Sequence, residues 1–203
     1  MKNEVQRIIS GESEVRYGAN IQAILSYLTG SEIASSMVKA DKHYKKEETK
    51  KLKQYIDNNR LWVDINPNNY VSEGAEQKVY LNQDRNVYKL NDAIYYLSWV
   101  DYFHNLLLNN YFFPDTAYKL LGFFEENNAV YAVVEQPFVK ATSPTDLNAV
   151  KEFMKSNGFE NTRNNDYFNP ELGIILEDLH DENVLTQHSN LYFIDTVFYI
   201  KEN

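Results

Sequence analysis

The chain has 203 residues and a formal net charge of −9, because 29 Asp and Glu residues outweigh 20 Lys and Arg residues. This acidity argues against sequence-independent binding along a phosphate backbone, so we expect no nucleic-acid partner. The absence of cysteine excludes disulfides, thiolate zinc sites and a cysteine nucleophile. No apolar run approaches the roughly 20 residues of a membrane span, and the N-terminus lacks the apolar region of a signal peptide. We therefore expect no membrane partner and a cytoplasmic location.

Residues 1–65 are predicted to form a helical N-terminal segment. Residues 22–28 carry apolar side chains at helical spacing and end at a plausible helix terminus, Gly30. Residues 45–57 have the pattern of an amphipathic, exposed helix. The surrounding segment, residues 39–53, contains 7 Lys and 3 acidic residues. Two interpretations of this basic segment stay open: a solvated helix face, or a contact with an anionic partner.

Residues 66–138 are predicted to form an antiparallel sheet with one helix. Two β-rich runs flank a hairpin connection, Asp92 can cap the helix that follows, and a second pair of strands comes after it. These elements are predicted at residues 79–81, 86–90, 93–110, 120–124 and 129–135.

Residues 139–203 read as a small region of short strands around polar loops. A helix is predicted over residues 146–156, where Asn157 and Gly158 stop it. Short strands follow at residues 174–176, 183–185 and 191–195.

Three polar residues in this last region have a spacing that suits chemistry on phosphates. Asp178 and Asn183 lie five residues apart between apolar runs, and Asp195 follows twelve residues later, at the end of a predicted strand. Such a loop can aim a carboxylate at an attacking hydroxyl while an amide and a second, hard carboxylate reach one metal ion. The alternative is that Asp178 and Asn183 only satisfy the backbone of a turn.

Matching features precede this loop in the chain. Residues 72–80 look like a reduced phosphate-covering loop, in which the small Gly74 and Ala75 allow a close approach of the backbone. Lys89 lies on the next predicted strand, ten residues after Val79. Two interpretations of Lys89 stay open: a residue of the phosphate site, or an ordinary strand lysine whose aliphatic stem packs while its charged end faces solvent.

Together these motifs resemble the protein-kinase-like superfamily, and within it the small Ser/Thr/Tyr kinase-like domain of polyvalent proteins from phages and conjugative elements. The motifs are E-x-x-V-Y at 76–80, V-Y-K at 87–89, Q-P-F at 136–138, D-L-H-x-x-N-V at 178–184 and I-D at 194–195. The resemblance implies an α+β, reduced bilobal protein-kinase-like fold. Its N-lobe would span residues 66–138, and its minimal C-lobe, with a catalytic loop and a metal-binding hairpin, residues 139–203.

The resemblance also implies roles for individual residues. Asp178 would be the catalytic base, Lys89 would contact the phosphates of ATP, and Asn183 and Asp195 would bind Mg²⁺. His180 would brace the loop. The remaining nucleotide contacts would come from Gly74, Ala75, Val79, Glu135, Gln136 and Phe138, the last three at the hinge beside adenine.

The function implied is an ATP- and Mg²⁺-dependent phosphotransferase, with a protein or small-molecule hydroxyl as the acceptor. One departure motivates an alternative. Kinases pair the lysine with a Glu from the following helix, but residues 92–113 contain no Glu, and Asp101 is a weak substitute. Only eight residues follow Asp195, so we expect no activation segment. The alternative is a pseudokinase-like module that binds nucleotide or protein without phosphotransfer.

Overall fold

The computed structural model describes residues 1–30, 42–74, 77–82 and 85–201, without the side chains of residues 42 and 43. Several sequence predictions fall outside these residues. They are the phosphate-loop residue Ala75, the first residue of the E-x-x-V-Y motif at position 76, part of the hairpin connection at 83–84, and the start of the basic segment at 39–41.

Three helices form the N-terminal part: α1 (Lys2–Ile9), α2 (Gly18–Thr29) and α3 (Lys42–Asn59). Helix α2 ends at Gly30, as its sequence predicts. Helix α3 is amphipathic but less exposed than expected, because Leu52 and Ile56 are fully buried in the core. These helices pack on one another and on the helix that follows the third strand.

A five-stranded antiparallel sheet follows, in the spatial order β1-β2-β3-β5-β4. Its first strand precedes the four that the sequence predicts. Segment 61–63 covers the outer edge of β4, where the Val63 N–H donates to the Phe123 carbonyl at 2.9 Å. A Cβ on Gly122 would lie 2.3 Å from the Leu61 carbonyl oxygen, so this close approach requires glycine. The strands are β1 (Tyr70–Glu73), β2 (Gln77–Asn82), β3 (Asn86–Asn91), β4 (Lys119–Glu126) and β5 (Ala129–Pro137).

Helix α4 (Trp99–Phe112) begins six residues later than its sequence predicts. Asp92 does not cap it, because the Asp92 carboxylate accepts from the Ile94 N–H at 3.0 Å and closes a turn. Ser98 is the cap: its Oγ accepts from the Asp101 N–H at 3.0 Å and donates to the Asp101 carboxylate at 2.7 Å. The prediction of Asp92 as the cap, and of a helix from residue 93, was therefore wrong.

The rest of the chain contains α5 (Leu147–Ser156) and six short strands. Asp146, the first residue of the predicted helix, is the N-cap of α5 and accepts from the Asn148 N–H at 2.9 Å. Four strands form an antiparallel sheet in the order β11-β8-β7-β6, and β9 and β10 form a separate hairpin. The sequence did not predict strands β6, β7 and β11. The strands are β6 (Glu160–Arg163), β7 (Asp166–Asn169), β8 (Ile174–Glu177), β9 (Val184–Gln187), β10 (Asn190–Phe193) and β11 (Val197–Ile200).

Helix α4 joins the two apolar cores of the protein. Phe103 and Leu107 belong to the core under the five-stranded sheet, and Leu108 belongs to the core around α5 and β8. The predicted α+β class is confirmed. Within the described residues, no helix combines the length and apolar character needed to cross a membrane.

Candidate functional site

A cavity of about 400 Å³ lies between the β1–β2 turn, α4 and the segments that follow β8 and β10. Five residues that the sequence singles out line it: Gly74, Asp178, His180, Asn183 and Asp195. Gly74 and Asp178 are 104 positions apart in the chain, so the fold gathers these motifs from distant parts of the sequence.

Lys89, near the centre of β3, does not line the cavity but is paired with Asp195, which does. The side chain is not solvent-facing, since the residue is only 3% exposed. Its Nζ donates to Asp195 Oδ1 at 2.6 Å and to the Ile194 carbonyl at 3.0 Å, and it lies 5.7 Å from the Tyr118 ring centroid. Lys89 is thus an interior cation paired with the carboxylate that the sequence assigns to a metal.

Two further side chains contact the same part of Asp195. Gln77 Nε2 donates to Oδ1 at 2.6 Å. The Tyr118 hydroxyl lies 3.4 Å from Oδ1 and donates to the Ile194 carbonyl at 2.6 Å. Burial, and then the charge of Asp195, raise the pKa of Tyr118 well above its usual range. This hydroxyl therefore keeps its proton and acts as a donor.

Polar side chains also fix the backbone on both sides of Asp195. Asn109, which is fully buried, accepts from Thr196 Oγ1 at 3.0 Å. Asn105 accepts from the Phe198 N–H at 2.8 Å, and Thr116 Oγ1 donates to the Phe193 carbonyl. No buried side-chain nitrogen or oxygen in the described part of the chain lacks a partner. The segment that carries Asp195 is therefore fixed by hydrogen bonds on both sides of this residue.

Sequence reasoning missed these amides of α4. A signal was present, because Asn105 and Asn109 are four residues apart and share one face of a helix that is otherwise largely apolar. Buried amides need partners. The sequence does not reveal that those partners lie beside Asp195, 87 and 93 positions along the chain.

The loop after β8 holds the other predicted residues. Asn183 Nδ2 donates to the carbonyl oxygen and to Oδ2 of Asp178, both at 2.9 Å. The Glu182 N–H donates to His180 Nδ1 at 3.2 Å, and His180 Nε2 lies 3.2 Å from Asp178 Oδ1 and 3.2 Å from Asn183 Nδ2. His180 therefore braces the loop as expected. The Ile194 N–H donates to the Asn183 carbonyl at 2.9 Å and ties this loop to the segment of Asp195.

The basic helix α3 contacts the start of α4. Glu48 is buried and accepts from the Trp99 N–H at 2.6 Å and from the Val100 N–H at 3.2 Å, which satisfies free N–H groups of the first turn. Burial raises the pKa of Glu48, although these hydrogen bonds oppose the shift. Lys45 Nζ donates to the Tyr96 carbonyl at 2.9 Å. This part of the segment is an internal contact, a role that neither of the two interpretations included.

The predicted hinge residues do not line the cavity. Gln136 is buried and donates through Nε2 to the Thr116 carbonyl at 2.8 Å. Pro137 has no N–H, and the N–H of Phe138 donates to the Arg85 carbonyl at 2.8 Å. Val79 and Glu135 are also absent from the cavity wall. The assignment of these residues to the nucleotide stays a prediction.

The predicted metal residues have suitable chemistry. No group of three or more His, Asp or Glu side chains able to hold an ion occurs among the described residues. Mg²⁺ does not require one, because it is commonly bound by one or two carboxylates, with phosphates and water completing the shell. Asn183 and Asp195 line the same cavity and bring hard oxygen atoms. Their chemistry fits a nucleotide-bound Mg²⁺.

Comparison with known protein families gives a match over most of the chain. A family model described as a serine/threonine/tyrosine kinase found in polyvalent proteins matches residues 45–202, which is more than half of the chain. This range contains all the residues that the sequence assigns to the site. No curated protein and no solved structure matches the chain.

Proposed function

The chain belongs to the serine/threonine/tyrosine kinase family found in polyvalent proteins, and from this we propose that it is an ATP- and Mg²⁺-dependent phosphotransferase with a hydroxyl acceptor. One observation carries the proposal. Asp178, Asn183 and Asp195 line a single cavity, and Lys89 is bonded to Asp195 at its edge. In this proposal residues 66–138 form the N-lobe, residues 139–203 the C-lobe, and the helices before them support the N-lobe.

Lys89 would supply positive charge to the phosphates. Its ammonium is desolvated and held beside the cavity by Asp195 and the Ile194 carbonyl, and it would exchange part of these contacts for phosphate oxygens when nucleotide arrives. A fixed cation in a site that excludes water stabilises the charge of a transferring phosphoryl group more than a cation in bulk water does.

Asn183 and Asp195 would hold Mg²⁺ through their side-chain oxygens. The ion would neutralise charge on the phosphate oxygens. Asn183 uses its Nδ2 group on Asp178, which leaves Oδ1 as the atom for the metal. The backbone hydrogen bond between Ile194 and Asn183 would hold the two metal-binding residues close to each other.

Asp178 would orient the acceptor. The acceptor oxygen attacks the γ-phosphorus, the bond from that phosphorus to the β–γ bridging oxygen breaks, and ADP leaves with the electron pair. The proton of the hydroxyl passes to the Asp178 carboxylate. The side chain of Asp178 is 55% exposed, so an acceptor can reach it from solvent.

The test begins with binding, because the acceptor is unknown. ATP is titrated calorimetrically into the wild-type protein with EDTA and with Mg²⁺, and then into Lys89→Ala and Asp195→Ala. We expect Mg²⁺-dependent binding that both substitutions weaken. Lys78→Ala is the matched control, since Lys78 lies one residue from Gln77 on β2 but pairs with Glu126, away from the cavity. It should bind as the wild type does.

Activity is then measured as transfer of labelled γ-phosphate to water, to the protein itself and to a panel of peptides and small alcohols. Absence of binding at millimolar ATP would contradict the proposal. Equal binding by the wild type and the three variants would show that ATP does not bind in this cavity.

A further inference from the structure

Gln77 occupies a position that the proposed roles leave unexplained. It begins β2, three positions after Gly74, whose N–H donates to the Gln77 carbonyl at 3.0 Å. Its side chain donates to Asp195 Oδ1 at 2.6 Å, a contact between two residues that line the cavity and lie 118 positions apart. Gln77 thus connects the start of β2 with the carboxylate of Asp195, far along the sequence.

The other donors to Asp195 Oδ1 have competing tasks. Under the proposed function the Lys89 ammonium must contact the phosphates of ATP. The usual glutamate partner for this lysine is missing from residues 92–113, and Asp101 is engaged by Ser98 at the start of α4. Lys89 is therefore shared between Asp195 and the incoming nucleotide.

Tyr118 cannot replace Lys89 as a donor to the carboxylate. A phenol has one proton, and the 2.6 Å contact with the Ile194 carbonyl uses it, whereas Asp195 Oδ1 lies at 3.4 Å. Gln77 is the donor that remains for Oδ1 once Lys89 turns towards phosphate.

We propose that Gln77 is a positioning residue that fixes Oδ1 of Asp195, so that Oδ2 is presented to the metal ion in one orientation. The inference rests on the proposed function, because it takes Asp195 as a metal ligand. An amide suits the role, since it donates without charge: a lysine would repel the cation, and a glutamate would repel Asp195. In the described residues, no donor contacts Oδ2 of Asp195.

The test separates metal-dependent from metal-independent binding. ATP is titrated calorimetrically with EDTA and with Mg²⁺ into the wild type, Gln77→Met and Asp195→Ala. Met has a similar length to Gln and no donor. Partners of metal ligands typically contribute about 10- to 100-fold in metal affinity. Gln77→Met should lose that much of the Mg²⁺-dependent gain in ATP affinity while its affinity in EDTA stays unchanged. A merely structural defect would lower both.

Controls keep each outcome decisive. Lys78→Met, on the neighbouring position of β2, should retain the full gain. Gln77→Thr, which suits a strand, is the second variant if thermal unfolding shows that Gln77→Met is not folded. A full Mg²⁺ gain in the Gln77 variants, beside a lost gain in Asp195→Ala, would overturn the inference and leave the proposed function standing. Tighter binding would overturn it as well, because Gln77 would then hold the cleft closed against nucleotide. No Mg²⁺ gain in the wild type would overturn both.

Discussion

The two ends of the candidate site are held in different ways. At one end, the side chains of Lys89 and Asp195 are 4% and 26% exposed, and Asp195 is also contacted by Gln77 of β2 and by Tyr118, which precedes β4. At the other end, the side chain of Asp178 is 55% exposed, and its side-chain partners are His180 and Asn183 of the same loop. The end that holds Lys89 and Asp195 is part of the protein interior. Asp178, which is assigned to the acceptor, lies on a surface loop together with Asn183, the second residue assigned to the metal.

This difference follows from what each end would bind. Phosphates and a metal ion have a fixed geometry, and a preorganised environment stabilises their charge without reorganisation. An acceptor hydroxyl arrives on a separate molecule and needs an open approach. The comparison predicts that substitutions at the interior end change stability and binding together, whereas substitutions at the loop end change activity alone.

The largest effect is expected for Lys89→Met. The substitution leaves the Asp195 carboxylate and the Ile194 carbonyl without their cationic donor. Removing one partner of a fully buried ion pair costs about 3–5 kcal/mol. Because Asp195 keeps some contact with water, we expect a loss nearer about 2–3 kcal/mol in the free energy of unfolding, measured with urea. Lys78→Met, which removes a more exposed ion pair, should cost less than about 1 kcal/mol. Equal losses in the two variants would contradict the interior character of this end.

Asn109→Leu should have the next largest effect. It removes the acceptor of Thr196 Oγ1 and the donor to the Thr116 carbonyl, which lies 3.3 Å away. A buried polar group left without a partner costs about 1–3 kcal/mol. The measurement is a double-mutant cycle with Thr196→Val, in which the double variant should lose less than the sum of the single variants. Strict additivity would mean that the amide does not act through Thr196.

Local sequence pattern predicted the parts of the fold that local interactions determine. The end of α2 at Gly30 was predicted from nearby residues and is confirmed, and α5 (Leu147–Ser156) matches the helix predicted over residues 146–156. The spacing of Asp178 and Asn183 predicted that both would face one place, and the cavity contains both.

The start of α4 was not predictable in the same way. Asx residues at 91 and 92 serve turns as readily as caps, and both accept from backbone N–H groups two residues ahead. The true start is fixed in part by Glu48, a side chain on another helix 51 positions earlier. The contacts of Gln77 and Asn109 with the Asp195 segment are equally non-local. Nothing in the neighbouring sequence specifies such partners, so only the folded chain reveals them.

A smaller effect is expected for Glu48→Gln. Glu48 lies on α3, and its carboxylate accepts from N–H groups at the start of α4. Burial raises the pKa of Glu48 above its ordinary value of 4.5 in the folded protein, so the folded state binds this proton more tightly than the unfolded state. The stability linked to protonation is fully present below the ordinary pKa and is lost as the pH rises through the raised value. The difference in melting temperature between the wild type and Glu48→Gln should therefore shift in favour of the wild type as the pH falls from neutral towards 4.5. A difference that does not change with pH would show that the carboxylate keeps an ordinary pKa.

The smallest effect on stability is expected for Asp178→Asn. Asp178 has a φ of 69°, a left-handed conformation that Asn tolerates well. Its side chain is largely solvated, and an Asn oxygen can still accept from Asn183. We expect a change in unfolding free energy within about 0.5 kcal/mol and unchanged calorimetric binding of Mg²⁺-ATP. Turnover should fall by about 10²- to 10⁴-fold if the carboxylate takes the acceptor proton.

The combination of results for Asp178→Asn tests the comparison most directly, because its stability and activity are expected to separate completely. Lost turnover with intact stability and binding would place the chemistry on the surface loop and leave the interior end as the nucleotide holder. A marked loss of stability would mean that the loop is coupled to the interior through the Asn183–Ile194 hydrogen bond more strongly than its exposure suggests. Unchanged turnover would remove Asp178 from the reaction, and the acceptor would then be oriented by other residues of the cavity.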